Sequence, residues 1–266
     1  MSITVQWVMT VMTLPALLAV MPAWADEQEA ELAKKTLNPV ADLISLPLQS
    51  NWDFSIGPAE AMRYTLNIQP VIPVALNADY NVIIRTILPV IYAESPVTGG
   101  PDKGGLGDTT QSFFLSPKQP VGGWILGAGP VFLWPTATNG LGAGKWGAGP
   151  TFVILRQESG WTYGLLANHL WSYAGHADRT NVSASFLQPF LSYTTTTYTS
   201  LTVNTESTYN WKATQWTVPL NFMVSQILKV GPQPISLQAG YRYYTDSPNR
   251  GPDWGLRFAV VLLFPK

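Results

Sequence analysis

The sequence predicts an all-β chain closed into an antiparallel transmembrane β-barrel, twelve strands in number, with a short helical segment before the first strand. Three observations predict it. From Leu46 onward apolar residues recur with a period of two, in segments of about ten residues separated by Gly, Pro, Asn, Asp and Ser. Aromatic residues stand at both ends of several of these segments. The final segment alternates almost to the C-terminus.

Taken in order, residues 1–25 read as a secretory signal, apolar through Val20 and closing on Ala23-Trp24-Ala25, a small-x-small site before Asp26. No Lys or Arg precedes Lys34, so the usual basic start is missing. An N-terminal membrane helix is the alternative, although the apolar run is short for a span of about 20 residues. Residues 26–46 form the next segment, with acidic Glu27, Glu29 and Glu31, then Lys34 and Lys35, and Pro39 placed to open a short helix. It is expected either in the periplasm or folded into the barrel as a plug.

Residues 47–266 are the expected barrel. Its segments fall at 47–57, 62–72, 79–92, 108–116, 123–135, 146–156, 161–173, 182–193, 198–210, 215–228, 235–244 and 254–264. The longest connections follow odd segments, although those after the first and ninth are short, and connections after even segments stay short, as when one end of a barrel carries turns and the other loops. Within 123–135, Trp124, Leu126, Ala128, Pro130, Phe132 and Trp134 share one face, with an aromatic at each end. Ten residues at about 3.3 Å, tilted roughly 40°, rise about 25 Å, the height of the apolar band between two aromatic girdles. Trp161 and Trp171, Tyr80 and Tyr92, and Trp254 and Phe264 repeat that spacing. The last segment sets Leu256, Phe258, Val260, Leu262 and Phe264 against Arg257, Ala259, Val261 and Leu263, with Pro265 and Lys266 after the terminal aromatic. Against a barrel stand Pro70, Pro89, Pro130, Pro150, Pro189 and Pro219, each inside a segment. A closed sheet has no free edge, so each must meet a bulge, a strand end or a twist point.

Composition excludes several functions. Charged residues make up 12% of the chain and the net charge is −1, which does not suit a nucleic-acid partner. The absence of cysteine removes disulfides, thiolate metal sites and cysteine nucleophiles. No metal site, cofactor or catalytic constellation is expected. His169 and His176 are the only imidazoles, and Ser183 and Ser185, which could accompany His169, are assigned by parity to the opposite face.

Gly127-Ala128-Gly129-Pro130, Pro135-Thr136-Ala137-Thr138, Leu141-Gly142-Ala143-Gly144-Lys145-Trp146-Gly147-Ala148-Gly149-Pro150, Gln188-Pro189-Phe190 and the closing Leu263-Phe264-Pro265-Lys266 carry a family likeness. Together they resemble the proteobacterial outer-membrane proteins grouped with the products of meta-cleavage phenol-degradation operons, labelled transporters or neuromedin U. The likeness spans residues 38–266 and implies an envelope barrel with a transport role, without a substrate.

If the aromatic faces meet lipid, the opposite parity lines the lumen and holds Asp53, Arg63, Arg85, Lys145, Glu206, Arg242 and Arg257. Five of these fall on consecutive strands around the closure. They form either a basic stripe that favours anionic solutes or binds the acidic N-terminal segment, or internal ion pairs that fill the barrel. The inward glycines of the two GAGP stretches either leave room for a solute or plug, or permit bending. The expected function is a channel or transporter for small solutes in the bacterial outer membrane, not an enzyme. A lipid-modifying enzyme and a non-conducting structural barrel are the alternatives. Expected partners are the bilayer and its lipopolysaccharide, the outer-membrane barrel assembly machinery and a small solute.

Overall fold

The computed structural model describes residues 27–138 and 140–265; the expected signal segment lies outside them. A helix, α1 (Glu27–Thr36), precedes fifteen strands: β1 (Ile44–Ile56), β2 (Ala61–Ile68), β3 (Val71–Ala75), β4 (Tyr80–Ala93), β5 (Lys103–Leu106), β6 (Thr109–Pro117), β7 (Trp124–Trp134), β8 (Lys145–Glu158), β9 (Trp161–Gly175), β10 (Ser183–Thr194), β11 (Thr199–Thr205), β12 (Ser207–Asn210), β13 (Gln215–Val230), β14 (Gln233–Asp246) and β15 (Trp254–Phe264). Three pairs, β2 with β3, β5 with β6 and β11 with β12, are halves of interrupted staves, so the fifteen strands make twelve staves. All pair antiparallel. The sheet closes where β15 meets β1, from Phe264 opposite Ile44 to Trp254 opposite Phe54.

Closure follows from hydrogen bonding, because a strand edge in hydrocarbon leaves amides without partners and a barrel has none. Alternation sorts the faces. In β15, Gly255, Arg257, Ala259, Val261 and Leu263 are buried inside, while Trp254, Leu256, Phe258 and Phe264 stand on the outer wall. Such a wall requires a bilayer, and the barrel resides in the outer membrane. Each expected segment coincides with a stave within a few residues. The fourth differs most, since it begins at Lys103 rather than 108 and is broken at Gly107-Asp108, and the barrel starts at Ile44 rather than 47.

The six prolines all sit at irregularities. Pro70 lies in the break between β2 and β3. Pro89 accepts the Gly107 N–H at 2.9 Å beside the break between β5 and β6. Pro130 and Pro150 face each other across β7 and β8, so two missing donors coincide in one register position. The ladders on their far sides lapse at the same level, between Ser112 and Leu115 on β6 and between Ala148 and Thr151 on β8. Pro219 adjoins the bulge after Val218. Pro189 falls where β10 passes from β11 to β12, at the level of Thr205 and one residue from that of Glu206.

In the two GAGP stretches the glycines answer a steric demand. A Cβ on Gly129 would lie 1.9 Å from the Phe113 carbonyl oxygen, and one on Gly149 would lie 1.7 Å from that of His169. Only glycine lets the neighbouring backbone come so near. Gly127 differs, for a Cβ there would press on Val153 at 3.0 Å and on Val40 of the N-terminal segment at 3.1 Å.

That segment enters the barrel. Leu32 and Ala33 of α1 pack with Ala41, Leu43, Ile227, Val261 and Leu263, and Val40 sits among Ile83, Phe114, Val153, Leu155 and Leu166. Burying the five side chains of Leu32, Ala33, Val40, Ala41 and Leu43 anchors it, at roughly 1.5–3 kcal/mol for each large one. Pro39 was expected to open a helix. Instead α1 ends before it, because the Asn38 side chain accepts the Val40 N–H at 2.9 Å in a turn that proline's fixed φ suits.

Candidate functional site

The lumen is the candidate site. Its charged side chains gather where β11 and β12 part. Glu206, outside the ladder, turns inward and takes the Arg257 guanidinium through two bonds of 2.8 and 2.7 Å. The Nε–H of Arg257 donates to Asn51 at 2.7 Å. Arg242 lies 3.4 Å from Asp53 and 3.9 Å from Glu206, with its guanidinium over the Tyr244 ring. The Tyr244 hydroxyl in turn donates to Asp53 at 2.8 Å. Two arginines and two carboxylates from four staves thus neutralise one another inside the wall. Arg242 Nε and Asn221 Oδ1, on residues paired across β13 and β14, are both buried without a protein partner, a donor and an acceptor that one water could join.

The other expected residues separate. Arg85 is hydrogen-bonded through Nη2 to Gln69 Oε1 at 3.1 Å and has no carboxylate in ion-pair distance among the described residues. Arg63, opposite Asp53 in register, is exposed and has no ion pair among the described residues. Lys145 is buried, and its ammonium donates to the His176 carbonyl, fastening a loop. The N-terminal acids do not meet these arginines: Glu29 pairs with Lys229 at 3.5 Å and Glu31 with Lys35 at 3.6 Å. Arg242 and Arg257 thus lie in ion pairs, while Arg63 and Arg85 have none among the described residues.

A cavity of about 520 Å³ lies within the barrel. The N-terminal segment from Lys35 to Leu43 closes one side of it and the Glu206–Arg257 pair borders it elsewhere. Between them the wall carries Gln49, Asn67, Gln69 and Arg85 on one side and Leu166, Leu170, Phe186 and Phe190 on another. The volume is that of a small-molecule site.

On the outer wall, Tyr80, Trp124, Trp161 and Phe264 stand at the stave ends nearest α1, and Tyr92, Trp134, Trp171 and Trp254 at the opposite ends. Several meet a neighbouring ring, Phe54 stacking on Trp254 at 4.4 Å and Trp134 meeting Trp146 edge to face at 5.3 Å.

The residues of the family likeness also build a loop lock that sequence reasoning missed. Asp108 accepts N–H groups from Ala137 at 3.2 Å, Ala143 at 2.6 Å and Gly144 at 3.3 Å. Thr136 and Thr138 meet the Thr109 and Leu106 amides at 2.9 and 3.0 Å, which pins loop 135–144 over the broken stave. The signal was the run of small residues around Lys145, whose bare amides need an acceptor.

One face assignment is corrected. Ser183 and Ser185 pair in register with Trp171 and His169 and share their outer wall. Ser185 Oγ lies 2.7 Å from His169 Nδ1, Ser183 Oγ lies 3.5 Å from Nε2, and Trp211 donates to Ser185 at 2.9 Å. The misreading arose because Phe186 and Phe190, which apolarity would send to lipid, face the lumen.

No family model and no curated protein matches the chain. Among solved structures it is similar to the COG4313 outer membrane channel from Pseudomonas putida F1, with a TM-score of 0.65 at 14% identity over 84% of this chain and 96% of that one. It is also similar to the NanC porin, with a TM-score of 0.53 at 10% identity over 83% of this chain and all of that one. At these identities the likeness bears on the fold, a closed outer-membrane barrel.

Proposed function

We propose that the chain is an outer-membrane channel or transporter for small solutes, which diffuse through the lumen without covalent chemistry, and that residues 27–43 narrow its inner mouth. The observation that carries the reading is the cavity of about 520 Å³ inside the wall, lined by polar side chains and bounded by that segment. The two solved structures it is similar to are a channel and a porin, which agrees with it. The resemblance to phenol-pathway proteins adds no solute. Planar-bilayer recordings test the reading: the refolded chain conducts, and deleting residues 27–43 raises the conductance. Absence of current in both would leave a structural barrel.

A second reading has one specific observation behind it, the hydrogen-bonded pair of His169 and Ser185 on the lipid-facing wall. A serine with an imidazole base could cleave a lipid ester. No carboxylate or amide orients the ring among the described residues, whose other neighbour is Ser183. Phospholipid turnover abolished by His169→Ala would favour this reading over the first.

A further inference from the structure

We infer that the cavity binds one amphiphilic monocarboxylate at a time, its carboxylate held by Arg85 and its apolar body laid against Phe186 and Phe190. This rests on the reading of the lumen as a solute path and names the solute class.

The charge argument comes first. Four ionic side chains border the cavity: Lys35, Arg85, Glu206 and Arg257. Lys35 is paired with Glu31, and Glu206 and Arg257 hold each other through two hydrogen bonds. Arg85 alone of the four has no ion pair among the described residues, and Glu206, already held by Arg257, acts on it only from beyond contact distance. It is also oriented. Gln69, itself 6% exposed, stands at the break between β2 and β3 and fixes the guanidinium through Nη2 at 3.1 Å. One held guanidinium matches a planar carboxylate, which accepts two parallel N–H bonds. A second negative charge on the ligand would meet Glu206, whose partner is already bound.

The shape argument is independent. Counting staves in pairing order, β4 and β10 are five apart in a ring of twelve, so Arg85 faces the β10 wall nearly across the lumen. On that wall Phe186 and Phe190 stand beside Leu166 and Leu170 of β9, with Gln188 and Asn168 as polar steps between them. These rings are the residues that broke the outer-face pattern. Aromatics placed inside a barrel, opposite a guanidinium that borders the same cavity without an ion pair, suit a ligand charged at one end and apolar at the other. A sugar would waste the apolar wall, and a small inorganic anion would leave it wet.

Calorimetry on the full chain refolded in detergent tests this with benzoate, benzyl alcohol, benzylamine and acetate. Benzoate is expected to bind best, and Arg85→Gln to weaken it about tenfold or more while leaving benzyl alcohol unchanged. Phe190→Ala is expected to weaken both. Unboiled gel mobility and sheet circular dichroism establish that each variant is folded. The inference is overturned if acetate equals benzoate, if benzylamine binds better, or if folded Arg85→Gln binds benzoate as before. Benzoate binding without conductance would keep the inference and remove the channel, whereas conductance without benzoate binding would do the reverse.

Discussion

Glu206 owes its position to a residue on another strand. Pro189 offers no amide where β10 changes partner, so the stave opposite can lapse and release Glu206 from the ladder toward Arg257. A buried guanidinium stripped of its carboxylate is costly. Glu206→Ala is therefore expected to lower stability by roughly 3–5 kcal/mol in a denaturant titration of the refolded barrel, with much of the loss recovered when Arg257 is also replaced by Met. A recovery near zero would mean that Asn51 alone carries Arg257. Gly129 makes a sharper case. A methyl there meets the Phe113 oxygen at 1.9 Å, whereas one on Gly104 finds its nearest neighbour at 3.9 Å. Gly129→Ala is expected to abolish the heat-modifiable band on an unboiled gel while Gly104→Ala keeps it. Similar bands from both would show that the β6 backbone yields freely.

At the scale of elements, α1 is held by two kinds of contact that differ in worth. Its ion pair of Glu29 with Lys229 is partly solvated, and its bond from Gln157 to the Lys34 carbonyl, at 2.9 Å, is exposed. Such contacts contribute up to about 1 kcal/mol, less than the burial of Leu32, which leaves only 3% exposed. Leu32→Asp is accordingly expected to raise conductance nearly as far as deleting the segment, and Lys229→Ala to change it little. The reverse ranking would make the latch electrostatic. Elements were also where the sequence could be read best and worst. A period of two is local, so the twelve staves follow from spacing alone. Interruptions are not local: the breaks at Gln69-Pro70, Gly107-Asp108 and Glu206 depend on what the neighbouring strand offers. Parity fails for the same reason at Ser183 and Ser185, since β10 takes its facing from its register with β9 and not from its own apolarity. Pro189 and Glu206 were both noticed in the sequence, but only pairing connects them.

For the molecule as a whole, the channel proposed above would select ions by the balance of its inward charge. Arg242 and Arg257 are matched by Asp53 and Glu206, which leaves Arg63 and Arg85 as the excess on the inner wall. Matched pairs set little long-range field, while unmatched guanidiniums in a narrow, low-dielectric tube attract counter-ions. In a potassium chloride gradient the reversal potential is therefore expected on the chloride side. The bias should shrink as salt rises, because at about 1 M the screening length falls to roughly 3 Å. Replacing Arg63 and Arg85 together by Gln should bring the potential close to zero without altering the circular dichroism. Replacing Arg63 alone separates an exposed cation from a half-buried one, since a charge in contact with solvent is screened first. If the double variant kept its full anion preference, the field would have to come from the paired cluster or from Lys145 and Lys35, and the distinction between matched and unmatched arginines would lose its functional meaning.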